Sequence, residues 1–226
     1  MIYKVVNFIF VMHNIVDKLI SIEKEIQEKS DKTKVIAVSK TFSMKEILPL
    51  INYGHKDFGE NKVQEAVEKW TSIKKDFTHI NLHMIGKIQT NKVKFVVPLF
   101  DFIHSLDNLK LAEKIANEQK KYKKNIKIFI QVNIGNELQK SGVSPEEVEN
   151  FKNKCVDELK LDIIGLMCLP PQGEEVSTYF KEMNSLLKKT NLKELSMGMS
   201  EDYLEALNYN SSYVRIGSKI FGNRNY

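Results

Sequence analysis

Cysteine, arginine and long apolar stretches are scarce in this chain of 226 residues, and each shortage excludes something. Its two cysteines, Cys155 and Cys168, form no CxxC pair, which argues against a disulfide framework and a cysteine zinc site. That usage fits a reducing compartment, so a cytoplasmic location is expected. The apolar segment from Val5 to Val11 is far shorter than the roughly 20 residues of a membrane span, and no small-residue cleavage site follows it. Neither a membrane partner nor secretion is expected. Arginine occurs only at Arg215 and Arg224 among 34 basic residues, as in a lysine-biased genome that keeps arginine where a planar, permanent charge is needed. The formal net charge of +5 comes from lysines scattered along the whole chain, the mark of solvated helix faces. A nucleic-acid binder would cluster them with exposed aromatics. There is no H-E-x-x-H and no G-x-x-x-x-G-K-[ST], so metal and nucleotide chemistry have no motif to rest on.

What is present is an alternation. With 42% hydrophobic and 28% charged residues the chain can build one sizeable core, and it contains no Pro/Gly/Ser linker or low-complexity tract. From Val35 onward, β-branched and aromatic runs predict eight strands at 35–39, 56–59, 81–85, 101–104, 126–133, 163–167, 194–197 and 213–216. Amphipathic spacing predicts helices at 43–53, 62–74, 108–121, 145–159, 174–188 and 201–208, with Ser43, Ser144 and Ser200 as N-caps. A further helix over 14–28, capped by Asn14, carries Ile15, Leu19, Ile22 and Ile26 at helical spacing and would pack outside the domain or close its bottom. Residues 1–12 then form an extension that belongs to no part of the pattern. Strand and helix in eightfold alternation point to a single α/β domain, a (β/α)8 TIM-type barrel with an extra N-terminal helix. The rival open, doubly wound sheet would want a glycine fingerprint after the first strand, where Ser39-Lys40-Thr41 stands instead.

Active sites of such barrels lie at the carboxyl ends of the strands, and the residues there are chemically rich. Lys40 follows the first strand, Glu60 and Asn61 the second, Gly86 the third; Asn133 ends the fifth. Most lysines are simply solvated, but desolvation at a barrel mouth lowers an ammonium pKa, and a neutral amine condenses with an aldehyde. Position alone leaves a cofactor-binding lysine and an aldolase-type lysine open. The loops after strands seven and eight, Ser196-Met197-Gly198-Met199-Ser200 and Arg215-Ile216-Gly217-Ser218, each supply a hydroxyl, a glycine and free backbone amides. Barrels bind phosphate in these loops, although the glycines would serve ordinary turns equally well. Arg215 is positioned to pair with a phosphate, a substrate carboxylate, a core-edge carboxylate or a ring nitrogen. Against a pyridine nitrogen it would keep that nitrogen unprotonated and weaken a cofactor as an electron sink. His83 either reaches the pocket or packs within the barrel.

Several segments together resemble one family, the YggS/PROSC-type pyridoxal 5'-phosphate (PLP) homeostasis proteins, which share the barrel of the alanine racemase amino-terminal domain. They are Ala37-Val38-Ser39-Lys40-Thr41, Phe58-Gly59-Glu60-Asn61, the run from His83 to Lys92, Lys140-Ser141-Gly142, Gly165-Leu166-Met167, Leu195 to Ser200, and Val214 to Gly222. The resemblance runs from about His13 to Arg224 and implies a PLP-binding domain at 13–226. It implies that Lys40 holds PLP as a Schiff base, that Ser200 and the Gly217 and Ser218 amides hold the phosphate, and that Arg215 approaches the pyridine nitrogen. Asn61 and His83 are implied as pocket-lining residues, and a monomer as the oligomeric state. The chain ends four residues beyond Gly222, without room for the second domain that carries a racemase's tyrosine base, so two-base racemisation is not expected. The implied function is intracellular PLP buffering or delivery, with PLP-dependent apo-enzymes as candidate recipients. The alternatives are a PLP enzyme such as a weak amino-acid racemase, and a cofactor-free Schiff-base aldolase.

Overall fold

The computed structural model describes residues 2–137 and 139–222, with side chains described from Asn14 onward. It is a closed, all-parallel barrel of eight strands in sequential order, β1 (Lys34–Val38), β2 (Asp57–Glu60), β3 (Asn81–Met84), β4 (Phe102–Leu106), β5 (Lys127–Val132), β6 (Asp162–Cys168), β7 (Glu194–Met199) and β8 (Tyr213–Ile216). The barrel closes where β1 pairs with β8, with Val35 opposite Val214 and Ala37 opposite Ile216. Strands covered on both faces bury both, and every residue of β4 and β8 is buried. All eight predicted strands are found, with ends shifted by at most two residues.

The helices are α1 (Ile2–Gln27), α2 (Met44–Tyr53), α3 (Val63–Asp76), α4 (Val93–Leu99), α5 (Leu109–Tyr122), α6 (Val148–Asn153), α7 (Val176–Thr190), α8 (Tyr203–Leu207) and α9 (Ser218–Phe221). Ser43 caps α2 as anticipated, with the Glu46 carboxylate accepting from its backbone N–H at 2.8 Å. Three other caps are corrected. Helix α1 runs straight through Asn14, because no proline or glycine interrupts the chain before it, so Asn14 is interior. Helices α6 and α8 start later, on Glu147 and Asp202, which leaves Ser144 and Ser200 in the preceding turns. A wider π turn over Lys154–Glu158 continues α6. Helix α4 was not anticipated, since Val93, Val96, Val97 and Pro98 look strand-like or breaking; the buried i, i+3, i+4 set makes it helical.

The main core fills the layer between barrel and helices, where Trp70, Phe58, Phe100 and Phe180 are fully buried. On α1, Ile15, Leu19, Ile22 and Ile26 are buried where the helix meets α2, α8 and α9, so it packs outside the barrel wall. A smaller cluster of Ile36, Phe102, Phe129, Met167 and Tyr213 fills the barrel interior. Truncating such a residue to alanine costs about 2–5 kcal/mol. Among the described residues no helix is long and apolar enough to cross a membrane.

Candidate functional site

At the carboxyl ends of the strands lies a cavity of about 920 Å³, lined by Lys40, Asn61, Ser200, Arg215, Gly217 and Ser218. These are six of the seven residues singled out in the sequence. The barrel brings them together because they lie at or just beyond the carboxyl ends of four strands, β1, β2, β7 and β8, on the same face.

The loop that carries Lys40 is pinned from below by α3. The Lys69 ammonium donates to the carbonyls of Ser39 at 2.8 Å and Phe42 at 3.2 Å, on either side of Lys40. The Glu65 carboxylate accepts from the Thr41 N–H, whose residue sits at φ 70°, and Lys69 bridges to Glu65 at 2.9 Å. Beneath them Glu60 is fully buried, accepting from Ser39 Oγ at 2.8 Å and Trp70 Nε1 at 3.0 Å, with Lys69 at 2.7 Å. Burial pushes the Glu60 carboxyl above its ordinary value, although Lys69, Trp70 and Ser39 pull the other way. Phe42 stacks on Phe221 at 4.8 Å between centroids and ties this loop to α9.

On the second strand's side, Asn61 meets Gly86 so closely that a Cβ on Gly86 would lie 2.2 Å from the Asn61 carbonyl oxygen. Only glycine lets the two loops pass. On the far side, the segment after β5 folds back over the mouth. Asn133 both accepts from the Glu137 N–H at 3.2 Å and donates to its carbonyl at 3.0 Å, and Gln131 donates to the Ser141 carbonyl at 2.8 Å. Lys140 pairs with Glu137 and donates to the Pro170 carbonyl, so Lys140 and Gln131 reach the cavity too. Gln131 lies near the carboxyl end of β5 and Lys140 in the segment after it, where the rule of strand ends points.

Arg215 is buried and held by three bonds: Nη1 to the Ser196 carbonyl at 2.6 Å and to Ser196 Oγ at 2.7 Å, and Nη2 to the Cys168 carbonyl at 2.8 Å. A guanidinium has more N–H groups than these bonds use, and Arg215 lines the cavity. Burial pulls its pKa down from the ordinary value, but an arginine in that range remains a cation. Cys168 behind it is no nucleophile, its thiol pushed up to about 12, chiefly by burial.

His83 is the exception to the expected pocket lining. It points into the barrel interior, fully buried, with Nε2 3.0 Å from Asp57 Oδ1, Nδ1 2.9 Å from His104 Nε2, and its ring stacked on Phe102. The reason is strand alternation: His83 and Asn81 face one way and Met84 the other, and the interior face reaches the mouth only beyond the strand end. Among the described residues no group of three or more His, Cys, Asp or Glu is arranged to hold a metal.

The model of the alanine racemase N-terminal domain family matches residues 17–225. A pyridoxal phosphate homeostasis protein of Pasteurella multocida is 36% identical over 203 residues, covering 85% of this chain and 87% of that one. Its counterpart in Escherichia coli is 31% identical over 228 residues, covering 96% and 97%. Among solved structures, PipY of Synechococcus elongatus with PLP bound has a TM-score of 0.81 at 29% identity, covering 92% of this chain and 100% of that one. An alanine racemase of Clostridium difficile shares the fold, with a TM-score of 0.71 at 14% identity, and this chain spans 57% of its length.

Proposed function

The chain belongs to the pyridoxal phosphate homeostasis proteins, built on the alanine racemase N-terminal domain, and we propose that it binds PLP in this cavity and serves in intracellular PLP buffering or delivery. The observation that carries this is the juxtaposition of an amine, Lys40, with the hydroxyl and amides of Ser200, Gly217 and Ser218 across one cavity of cofactor size. PLP supplies an aldehyde and a phosphate dianion. Lys40 would hold the aldehyde through its amine, its loop kept in place by the Lys69 and Glu65 contacts. Ser200 and the amides of Gly217 and Ser218 supply the donors for the phosphate. Arg215 would donate toward the pyridine nitrogen and, having no proton to give up, would keep it unprotonated. Asn61 lines the same cavity, where it would contact the ring.

The protein works without catalytic turnover, as a cytoplasmic monomer whose recipients are PLP-dependent apo-enzymes. What supports the lack of turnover is the absence, among the described residues lining the cavity, of any tyrosine or histidine to act as a base opposite Lys40. The test is absorbance of the purified protein with PLP before and after borohydride, followed by peptide mapping. A visible band whose reduced label maps to Lys40, lost in Lys40→Ala with the fold retained, is expected. Label on another lysine would reject the assignment. Sustained turnover of an amino-acid panel, lost in the same variant, would put the racemase alternative first.

A further inference from the structure

A continuous row of hydrogen-bonded side chains crosses the barrel interior from its amino-terminal end to the cavity. Asp57 Oδ1 lies 3.0 Å from His83 Nε2, His83 Nδ1 lies 2.9 Å from His104 Nε2, His104 Nδ1 lies 2.9 Å from Ser196 Oγ, and Ser196 Oγ lies 2.7 Å from Arg215 Nη1. We propose that Asp57, His83, His104 and Ser196 form one directional hydrogen-bond chain that positions Arg215 in the cofactor site, an inference that rests on the PLP-binding function proposed above.

The direction follows from the two ends. A guanidinium only donates, and an ionised carboxylate only accepts. Arg215 therefore donates to Ser196 Oγ, Ser196 donates to His104 Nδ1, His104 Nε2–H donates to His83 Nδ1, and His83 Nε2–H donates to Asp57. No member can be reversed without leaving two donors or two acceptors face to face. Both histidines are then neutral Nε2–H tautomers. Their complete burial disfavours a charged ring, and burial is the leading cause that lowers both from the ordinary histidine value.

The rings cannot swing out of line, because His83 stacks on Phe102 and His104 on Phe129, each at 4.3 Å between centroids, with Tyr213 against both. Among the described residues no carboxylate lies within ion-pair distance of Arg215. The charge at the other end is Asp57, and each bond in such a row polarises the next, so the carboxylate makes Ser196 Oγ a better acceptor for Arg215. The row is no proton route, since Arg215 has no proton to pass on. Its effect is on geometry and polarisation, felt where Arg215 faces the pyridine nitrogen.

Two measurements test this. Nitrogen-15 NMR of the imidazoles in the protein without PLP should find His83 and His104 neutral at pH 7, each protonated on Nε2; an Nδ1–H tautomer or a cationic ring at either position would overturn the directional chain. The second measurement is the pH titration of the visible band with PLP bound, in wild type, Asp57→Asn, Ser196→Ala and the double variant. The two single variants should move the titration midpoint in the same direction while the preference for PLP over pyridoxal persists, and the double variant should move it no further than Ser196→Ala alone. An unmoved midpoint, or shifts that simply add, would overturn the positioning role. A wild type without any band would refute the PLP function and the positioning role together, while the NMR result still decides the chain itself.

Discussion

The Lys69 ammonium stands 2.7 Å from the fully buried Glu60 carboxylate and at the same time donates to the Ser39 and Phe42 carbonyls that flank Lys40. One ion pair thus serves both the barrel wall and the loop that presents the amine. Removing one partner of a buried pair strands the other's charge, which costs about 3–5 kcal/mol. Lys69→Met is expected to destabilise the protein by that order in urea unfolding, and Lys69→Met with Glu60→Gln should recover part of the loss. An undiminished loss in the double variant would mean that the loop contacts, and not the stranded carboxylate, dominate.

Ser200 stands in the turn before α8, on the cavity wall. If its hydroxyl meets the phosphate, Ser200→Ala removes one charge-assisted hydrogen bond and weakens PLP binding by about 1.5–3 kcal/mol. Equilibrium titration with PLP and with pyridoxal checks this. Pyridoxal should bind poorly to wild type, and equal affinity for the two would remove the phosphate-site assignment.

The buried histidines predict acid sensitivity. Burial, His83 and Arg215 push His104 well below its ordinary value of 6.5, and burial lowers His83 too, against the pull of Asp57. A depressed histidine pKa means that the unfolded chain takes up the proton first, so the stability is fully present above 6.5 and declines as pH falls below it. Asp57 acts in a lower window: burial raises its pKa, but the His83 and Asn81 bonds and the nearby histidines win and lower it from 3.8, so its contribution is lost only below that value. Glu60, raised from 4.5, opposes these losses near that pH because protonation relieves its burial. Urea midpoints from pH 8 to 5 should be flat and then fall through 6.5, with a shallower fall in His104→Gln. A midpoint that is level down to pH 5 would contradict the buried, neutral pair.

Residues 1–11 are expected to add nothing to the cofactor site. Among the described side chains of α1, Ile15, Leu19, Ile22 and Ile26 are buried, and a helix begun at Met12 keeps all four. Expression from Met12 should leave thermal stability and PLP binding unchanged. A loss of several kcal/mol, or of PLP affinity, would place the domain boundary before residue 12.

The sequence by itself determined the barrel, because eight apolar strands alternating with amphipathic helices can bury both faces of a parallel sheet in few other ways. It also determined six of the cavity residues, since Lys40, Asn61, Ser200, Arg215, Gly217 and Ser218 cluster near strand ends and their turns. What only the tertiary structure decided was set by contacts distant in sequence. Helix α4 exists because Val93, Val96 and Val97 find a core to enter, against the strand preference of valine. His83 left the pocket and joined His104, Ser196 and Asp57, residues drawn from four strands whose alternation aims them at the barrel axis. Alternation along each strand is visible in the chain, but which interior residue meets which depends on the register and tilt of the closed barrel, and those are fixed only when β8 returns to β1.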